Sequence, residues 1–457
     1  MAAIDTIISV NVSLIQAPPS IASFSIPLIM GPTMTSWSTT DYVHPYTDPA
    51  DMLTDGYTTT SPEYKYALKL VSQNQEPSEF LVGYRAAAVA QVDTFAIGTL
   101  VSSHDYQMDL NGVVLSYTAS GGDTQQSILG QLLTQALAIS PAVVSGAVVG
   151  TGSGALLTLT SLVAGQSVAY TAIDSDITHV ALTANYGIAD DLNSIILKNN
   201  SFYAVIMCSN VDSDILQLAA AIEPLKKICL VASGDSAIGT NASTDILSVL
   251  KGLGYNRTAL MYSPTSYNLG IEAAWGGGQL PSVPGSNNWA YATLVGIAAD
   301  PSTALSDSAR LLVVGNPVAQ VTGKNGNVYT VLGGQSVVQF GQMVSGRFID
   351  IQIGIDWLEA NIQSEILASL VQAAQANKKI PYTDKGTAVF KQDVKSVIST
   401  GETNGLVDPD SPVSVTAPAV ASVPASQRAG RLAPPISFVC TLQGAMNAAT
   451  INGTVLV

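Results

Sequence analysis

Three groups of residues in this 457-residue chain have types and spacing that could do chemistry. Gly234-Asp235-Ser236 follows an apolar run, and a Gly-Asp-Ser in that setting can present a serine nucleophile. Acyl transfer would need a general base, and in the hydrolase class concerned the histidine lies late in the chain. Here the histidines are His44, His104 and His179, all upstream, so Asp235 and Ser236 read as turn residues. Gly150-Thr151-Gly152-Ser153-Gly154 has the texture of a phosphate cradle, but no GxxxxGK followed by Ser or Thr occurs, and without the lysine and a following helix it reads as a turn. The acidic pairs Asp174/Asp176 and Asp212/Asp214 raise the question of a divalent cation, yet neither lies in a loop with enough oxygen ligands. Asp212 reads instead as a helix N-cap. Three isolated histidines can hold zinc only if the fold gathers them, so no catalytic residue, metal site or cofactor is expected.

One electrostatic feature remains. Of 18 Lys and Arg residues, Lys378, Lys379, Lys385, Lys391 and Lys395 fall within one short segment of an otherwise acidic chain. Lys391 and Lys395 are four apart and share a helix face, which suits either a docking site for an acidic partner or a solvated surface. With 33 acidic residues the net charge is −15, which argues against nucleic acid as a partner. Charged residues make up 11% and hydrophobic ones 47%, so the chain can bury more than one core and is not disordered. Its surface must be largely neutral and polar, as suits a subunit covered by copies of itself or a secreted β-protein. Met1-Ala2-Ala3-Ile4-Asp5 lacks the basic region and apolar run of a secretory signal. Cys208, Cys229 and Cys440 have no metal or redox spacing and read as thiols of buried strands in a reducing compartment. The charge-free stretch between Asp123 and Asp174 is broken by Pro141 and several glycines, so no membrane contact is expected.

These residues must be positioned by a chain that changes texture along its length. Ile21 to Pro32 reads as a buried strand, Pro62 to Ser72 as a helix and Phe80 to Tyr84 as a strand. From Ala87 to Gly187 a β-rich insert follows, with an Asn111-Gly112 hairpin and a helix over Thr124 to Ala138. Strands at Phe202 to Cys208, Ile228 to Ala232 and Thr258 to Tyr262 then alternate with helices at Ser213 to Ile222 and Thr244 to Gly252, the pattern of a doubly wound parallel layer. Gly276-Gly277-Gly278, Pro281, Pro284 and Gly285 mark an irregular loop. The strongest helical periodicity runs through Ile362, Ile366, Leu367, Leu370, Val371 and Ala374, and a second helix spans Lys385 to Ile398. A Pro- and Ser-rich connector, Asp408 to Ser426, leads to closing strands at Ile436 to Leu442 and Ala449 to Val457.

Both ends of the chain read as strands on tethers. Ile4, Ile7, Ile8, Val10 and Val12 stand before the Pro18-Pro19 spacer, and Ile451, Val455 and Val457 share one face at the other end. Such strands either complete their own sheet or are lent to a neighbour by β-augmentation.

With these pieces in order, the sequence resembles the tail sheath proteins of contractile-tailed bacteriophages, in a branch marked by a conserved domain of unknown function. The resemblance rests on Pro284-Gly285-Ser286-Asn287-Asn288-Trp289-Ala290, Ile349-Asp350-Ile351-Gln352, Ile355-Asp356-Trp357-Leu358 and Ile380-Pro381-Tyr382-Thr383-Asp384-Lys385-Gly386. It continues in Arg431, Leu442-Gln443-Gly444-Ala445-Met446-Asn447 and Ile451-Asn452-Gly453-Thr454-Val455. Asn447 departs from the pattern, since many relatives carry His there. The resemblance implies a multidomain α/β and α+β subunit: an N-terminal exchange arm and linker (1–20), a discontinuous sheath core (21–86 plus 188–448), an outward β-rich insertion domain (87–187) and a C-terminal exchange strand (449–457). That core would combine the doubly wound layer with a C-terminal α+β polymerisation domain. The implied assembly is one of hexameric rings stacked helically around an inner tail tube, made in the host bacterial cytoplasm and carried on the virion, with baseplate and tail terminator proteins as further partners. Both terminal arms would be lent to neighbours, and Lys385, Lys391 and Lys395 are the candidates for meeting an acidic tube. A secreted or surface-layer assembly, or a hydrolase using Ser236, are the other classes.

Overall fold

The computed structural model describes residues 24–165 and 168–450. The expected exchange strands, with Ile4, Ile7, Ile8, Val10 and Val12 at one end and Ile451, Val455 and Val457 at the other, lie outside the described residues. The chain divides into two compact units, Arg85–Ile196 and the segments on either side of it.

Among the described residues, the larger unit is built on an eight-stranded sheet. Its strands run in the order Gln335–Gln339, Asn327–Leu332, Thr258–Tyr262, Ile228–Ser233, Ala204–Met207, Pro27–Gly31, Phe80–Tyr84, Val43–Tyr46. The six central strands are mutually parallel and the two outer ones antiparallel. Pro27–Gly31, Ala204–Met207, Ile228–Ser233 and Thr258–Tyr262 are buried along their whole length, which explains why their sequences are continuously apolar rather than alternating.

The helices correct the sequence reading in two places. Gly276-Gly277-Gly278 is helical, inside Ile271–Gln279, because that helix packs so tightly on Pro62–Val71 that a Cβ on Gly277 would stand 2.1 Å from the Leu70 carbonyl oxygen. Tertiary closeness here outweighs the poor helix propensity of glycine. Asp212 is not a cap: it is the first residue of the Asp212–Ile222 helix, Val211 occupies the cap position, and no side chain bonds there. Of the thiols, Cys229 is buried within its strand, and burial pushes it up to about 12. Cys208 and Cys440 are half-buried, each one residue past a strand end, so they are not the strand-core thiols expected.

The smaller unit has a four-stranded antiparallel sheet, ordered Ile177–Thr183, Val92–Ile97, Leu156–Ser161, Val144–Val149, and a three-stranded one, Val113–Thr118, Asp105–Leu110, Tyr170–Thr171. The Asn111-Gly112 turn has both residues at positive φ, as its hairpin requires. A helix, Gln125–Leu137, starts in a Thr124/Ser127 capping box and buries Ile128, Leu129 and Leu132 with Phe95, Met108, Leu115, Leu157 and Leu159.

Candidate functional site

The basic segment is presented by two consecutive helices, Ile349–Gln375 and Asp384–Thr403. The first half of the long helix, to Gln363, is buried against the sheet layer. Its anchor is Asp356, whose carboxylate accepts from Arg257 Nη1 at 2.7 Å and Nη2 at 2.9 Å, from the Tyr203 hydroxyl at 2.7 Å and from Gln352 Nε2 at 3.2 Å. Burial pushes the Tyr203 phenol well up, so it remains a donor. One turn on, Glu359 forms a buried ion pair with Lys226. Gly354 faces Leu406, where a Cβ would stand 2.2 Å from a methyl of that leucine.

Beyond Gln363 the helix leaves this cover. Ile366, Leu367 and Leu370, the most periodic apolar residues of the chain, are only half-buried, and Val371 is 45% exposed. Asn377 at positive φ ends the helix, with its amide on the Ala374 carbonyl. The turn that follows allows no side chain at Gly386, where a Cβ would lie 1.9 Å from the Pro381 oxygen. Thr383 then caps the second helix by accepting from the Gly386 amide, and Asp384 sits in its first turn.

On this second helix Lys385 and Lys395 are exposed and Lys391 is half-buried. Asp393, between the lysines in sequence, points the other way: it is buried, accepts from Ser369 Oγ at 3.0 Å, and burial raises its carboxyl. The outer face carries Gln392, Lys395, Ser396, Ser399, Thr400 and Thr403 around one shallow hollow, so Lys395 stands on a polar surface.

Alongside lies a two-stranded antiparallel sheet, Ser414–Thr416 with Ser437–Val439, in which Val439 is 67% exposed. The chain after it returns along the second helix's exit: Asp408 N bonds Thr441 O at 2.9 Å and Gln443 N bonds Leu406 O at 2.8 Å. Asn447 is then fixed by Asn288, whose Nδ2 donates to its Oδ1 at 2.7 Å, and by the Tyr291 hydroxyl, which donates to its carbonyl. Trp289, one residue on from Asn288, is buried edge-to-face on Trp275. Motifs far apart in sequence thus meet at the start of the closing segment.

The other chemical candidates are placed as follows. Asp235 accepts from the Ala237 amide at 2.9 Å, and Ser236 is exposed at the start of a short 3-10 turn. The histidines pair elsewhere, His44 with Asp55, His179 with Asp93, and His104 with Asp174 and Asp176. That His104 joins the Asp174/Asp176 pair was not legible from spacing, because it lies 70 residues from Asp174. No helix among the described residues is long and apolar enough to cross a membrane.

Residues 349–411, which span both helices and the turn between them, match the family model described as E217 tail sheath protein gp31-like, C-terminal domain. No curated protein matches the chain. Among solved structures, the contracted helical sheath of the anti-feeding prophage is similar at 11% identity and a TM-score of 0.48, over 98% of this chain and 99% of that one. A sheath tail protein from Listeria innocua is similar at 10% identity and a TM-score of 0.44, over 92% and 95%. One from Desulfitobacterium hafniense has 10% identity and a TM-score of 0.44, over 95% and 100%. The helical pair that is anchored by Asp356 and carries the lysines is therefore the part of the chain that matches the tail sheath C-terminal domain model.

Proposed function

We propose that this chain is the structural subunit of a contractile tail sheath, a virion component that polymerises helically around an inner tail tube and contracts to drive it through the host envelope. The observation that carries this reading is the family match over residues 349–411. The local structure suits it. An apolar helix face left half-covered around Leu367 and Leu370, together with a two-stranded sheet whose outer edges pair with no further strand among the described residues, is surface for a second copy rather than for solvent. A strand lent from one subunit to the next is a heterologous contact, and such contacts repeat into helical filaments when they do not close.

In this reading the terminal strands, with Ile4, Ile7, Ile8, Val10, Val12, Ile451, Val455 and Val457, pair with neighbouring subunits in stacked hexameric rings. Lys385, Lys391 and Lys395 face the tube, the β-rich insert over residues 87–187 faces outward, and baseplate and terminator proteins bind the ends of a sheath assembled in the host cytoplasm. The role is structural and needs no catalytic residue or cofactor. Negative-stain microscopy of the purified protein tests it: hollow cylinders are expected, whereas small uniform particles with esterase activity, labelled at Ser236 by a fluorophosphonate, would refute it. Excising residues 87–187 should leave the cylinders intact, and their loss from a still-folded core would remove the outward assignment.

A further inference from the structure

His104 precedes the Asp105–Leu110 strand, and Asp174 and Asp176 lie between Tyr170–Thr171 and Ile177–Thr183, all within the smaller unit. The His104 Nε2 stands 3.0 Å from Asp174 Oδ2 and 3.5 Å from Asp176 Oδ2, and the three atoms lie within 4.8 Å of one another. Ligand atoms held at about 2.0 to 2.2 Å from one ion are roughly 3.0 to 3.5 Å apart in tetrahedral or octahedral coordination. Two carboxylates converging on one imidazole also form a set that a divalent cation would neutralise. His179 and His44, by comparison, each face a single carboxylate among the described residues.

The group is held from three sides. His104 O accepts from the Ala119 amide at 2.8 Å, Asp174 N bonds Gln107 O at 2.9 Å, and Asp176 O accepts from Gly98 N at 3.0 Å. The His104 ring stands edge-to-face on the buried Tyr106 at 4.7 Å, so its direction is set before any ligand arrives. His104 and Asp176 are about one-third exposed (32% and 37%), which leaves an entry path and open coordination positions.

We propose that His104, Asp174 and Asp176 bind a divalent transition cation of the zinc class. A set of one imidazole nitrogen and two carboxylate oxygens suits Zn²⁺ better than Mg²⁺ or Ca²⁺, which favour oxygen-only cages. Bound there, the ion ties the start of the hairpin to the segment leading into the edge strand of the four-stranded sheet, and so cross-links the two sheets of this unit.

The test uses the full-length chain, stripped with a chelator and titrated with Zn²⁺ by calorimetry and with Co²⁺ by visible absorption. One saturable site per chain is expected, lost in His104→Ala and in the nearly isosteric Asp176→Asn, and kept in His179→Ala. Zn²⁺ should also raise the melting temperature of the wild type but not of Asp176→Asn, which decides the matter if His104→Ala misfolds. Absence of saturable Zn²⁺ uptake, or uptake unchanged in both ligand variants, would overturn the assignment.

Discussion

Removing the Asp356 carboxylate should destabilise the larger unit more than any surface change. Asp356 and Arg257 are each 1% exposed, and the carboxylate collects four hydrogen bonds from Arg257, Tyr203 and Gln352. Asp356→Ala would leave the guanidinium buried without a counter-charge, at about 3 to 5 kcal/mol. It would also orphan the Tyr203 hydroxyl, worth roughly 1 to 3 kcal/mol alone. The two losses share one site and do not add in full, so about 4 to 5 kcal/mol is expected. Arg257→Met combined with Asp356→Leu removes both charges together and should recover most of that loss. The assay is guanidinium unfolding followed by tryptophan fluorescence. Trp37, Trp275, Trp289 and Trp357 all belong to the larger unit, so the signal ignores the smaller one. A loss below ~1 kcal/mol in Asp356→Ala, the range of an exposed pair, would refute the reasoning. So would a double variant as unstable as the sum of the single ones. With Lys226–Glu359, this pair docks the long helix, and Asp356→Ala should also impair polymer formation.

Three further outcomes can be measured. Glu272 is fully buried with one oxygen unpartnered among the described residues, and burial raises its carboxyl to about 8 against the hydrogen bonds from Tyr66 and Asn210. Because the folded state holds this proton when the unfolded state has lost it, stability falls as pH rises from the ordinary carboxylate range to about 8, by up to ~1.4 kcal/mol per pH unit. Glu272→Gln should remove that slope, and since buried Lys227, pushed down to about 7, acts in the opposite sense above that pH, the difference between wild type and variant is the quantity to plot; a flat difference from pH 5 to 8 sinks the assignment. Lys391→Glu with Lys395→Glu should leave sheath-only polymers intact but reduce decoration of tubes, with a wild-type contact that weakens as salt rises, each pair contributing roughly 0 to 1 kcal/mol. Tube decoration unchanged in the double variant would return these lysines to a solvated face. Deleting residues 449–457 should give a folded, soluble subunit unable to polymerise, and global unfolding on deletion would mean that the strand completes its own sheet.

Local pattern was enough for the elements whose conformation is decided by their own residues. The Asn111-Gly112 hairpin, the helix after Thr124, and the apolar strands alternating with helices around Ile228 and Thr258 were legible because turn chemistry and side-chain period act over a few residues. So was the helix carrying Lys391 and Lys395, and the motifs through Asp356 and Lys385 were enough to suggest the family that residues 349–411 match. What pairs over long separations was not legible. Gly276-Gly277-Gly278 carries every local mark of a loop, yet it is helical because Pro62–Val71 lies against it and only glycine leaves room for the Leu70 carbonyl. Asp212 has the residue type of a cap, but the chain enters its helix one residue early. Arg257 finds Asp356 across 99 residues, and His104 finds Asp174 across 70. Composition and spacing determine which side chains a segment can offer, but which of them meet depends on the packing of elements distant in sequence, and the buried charges and the candidate cation site of this protein are made there.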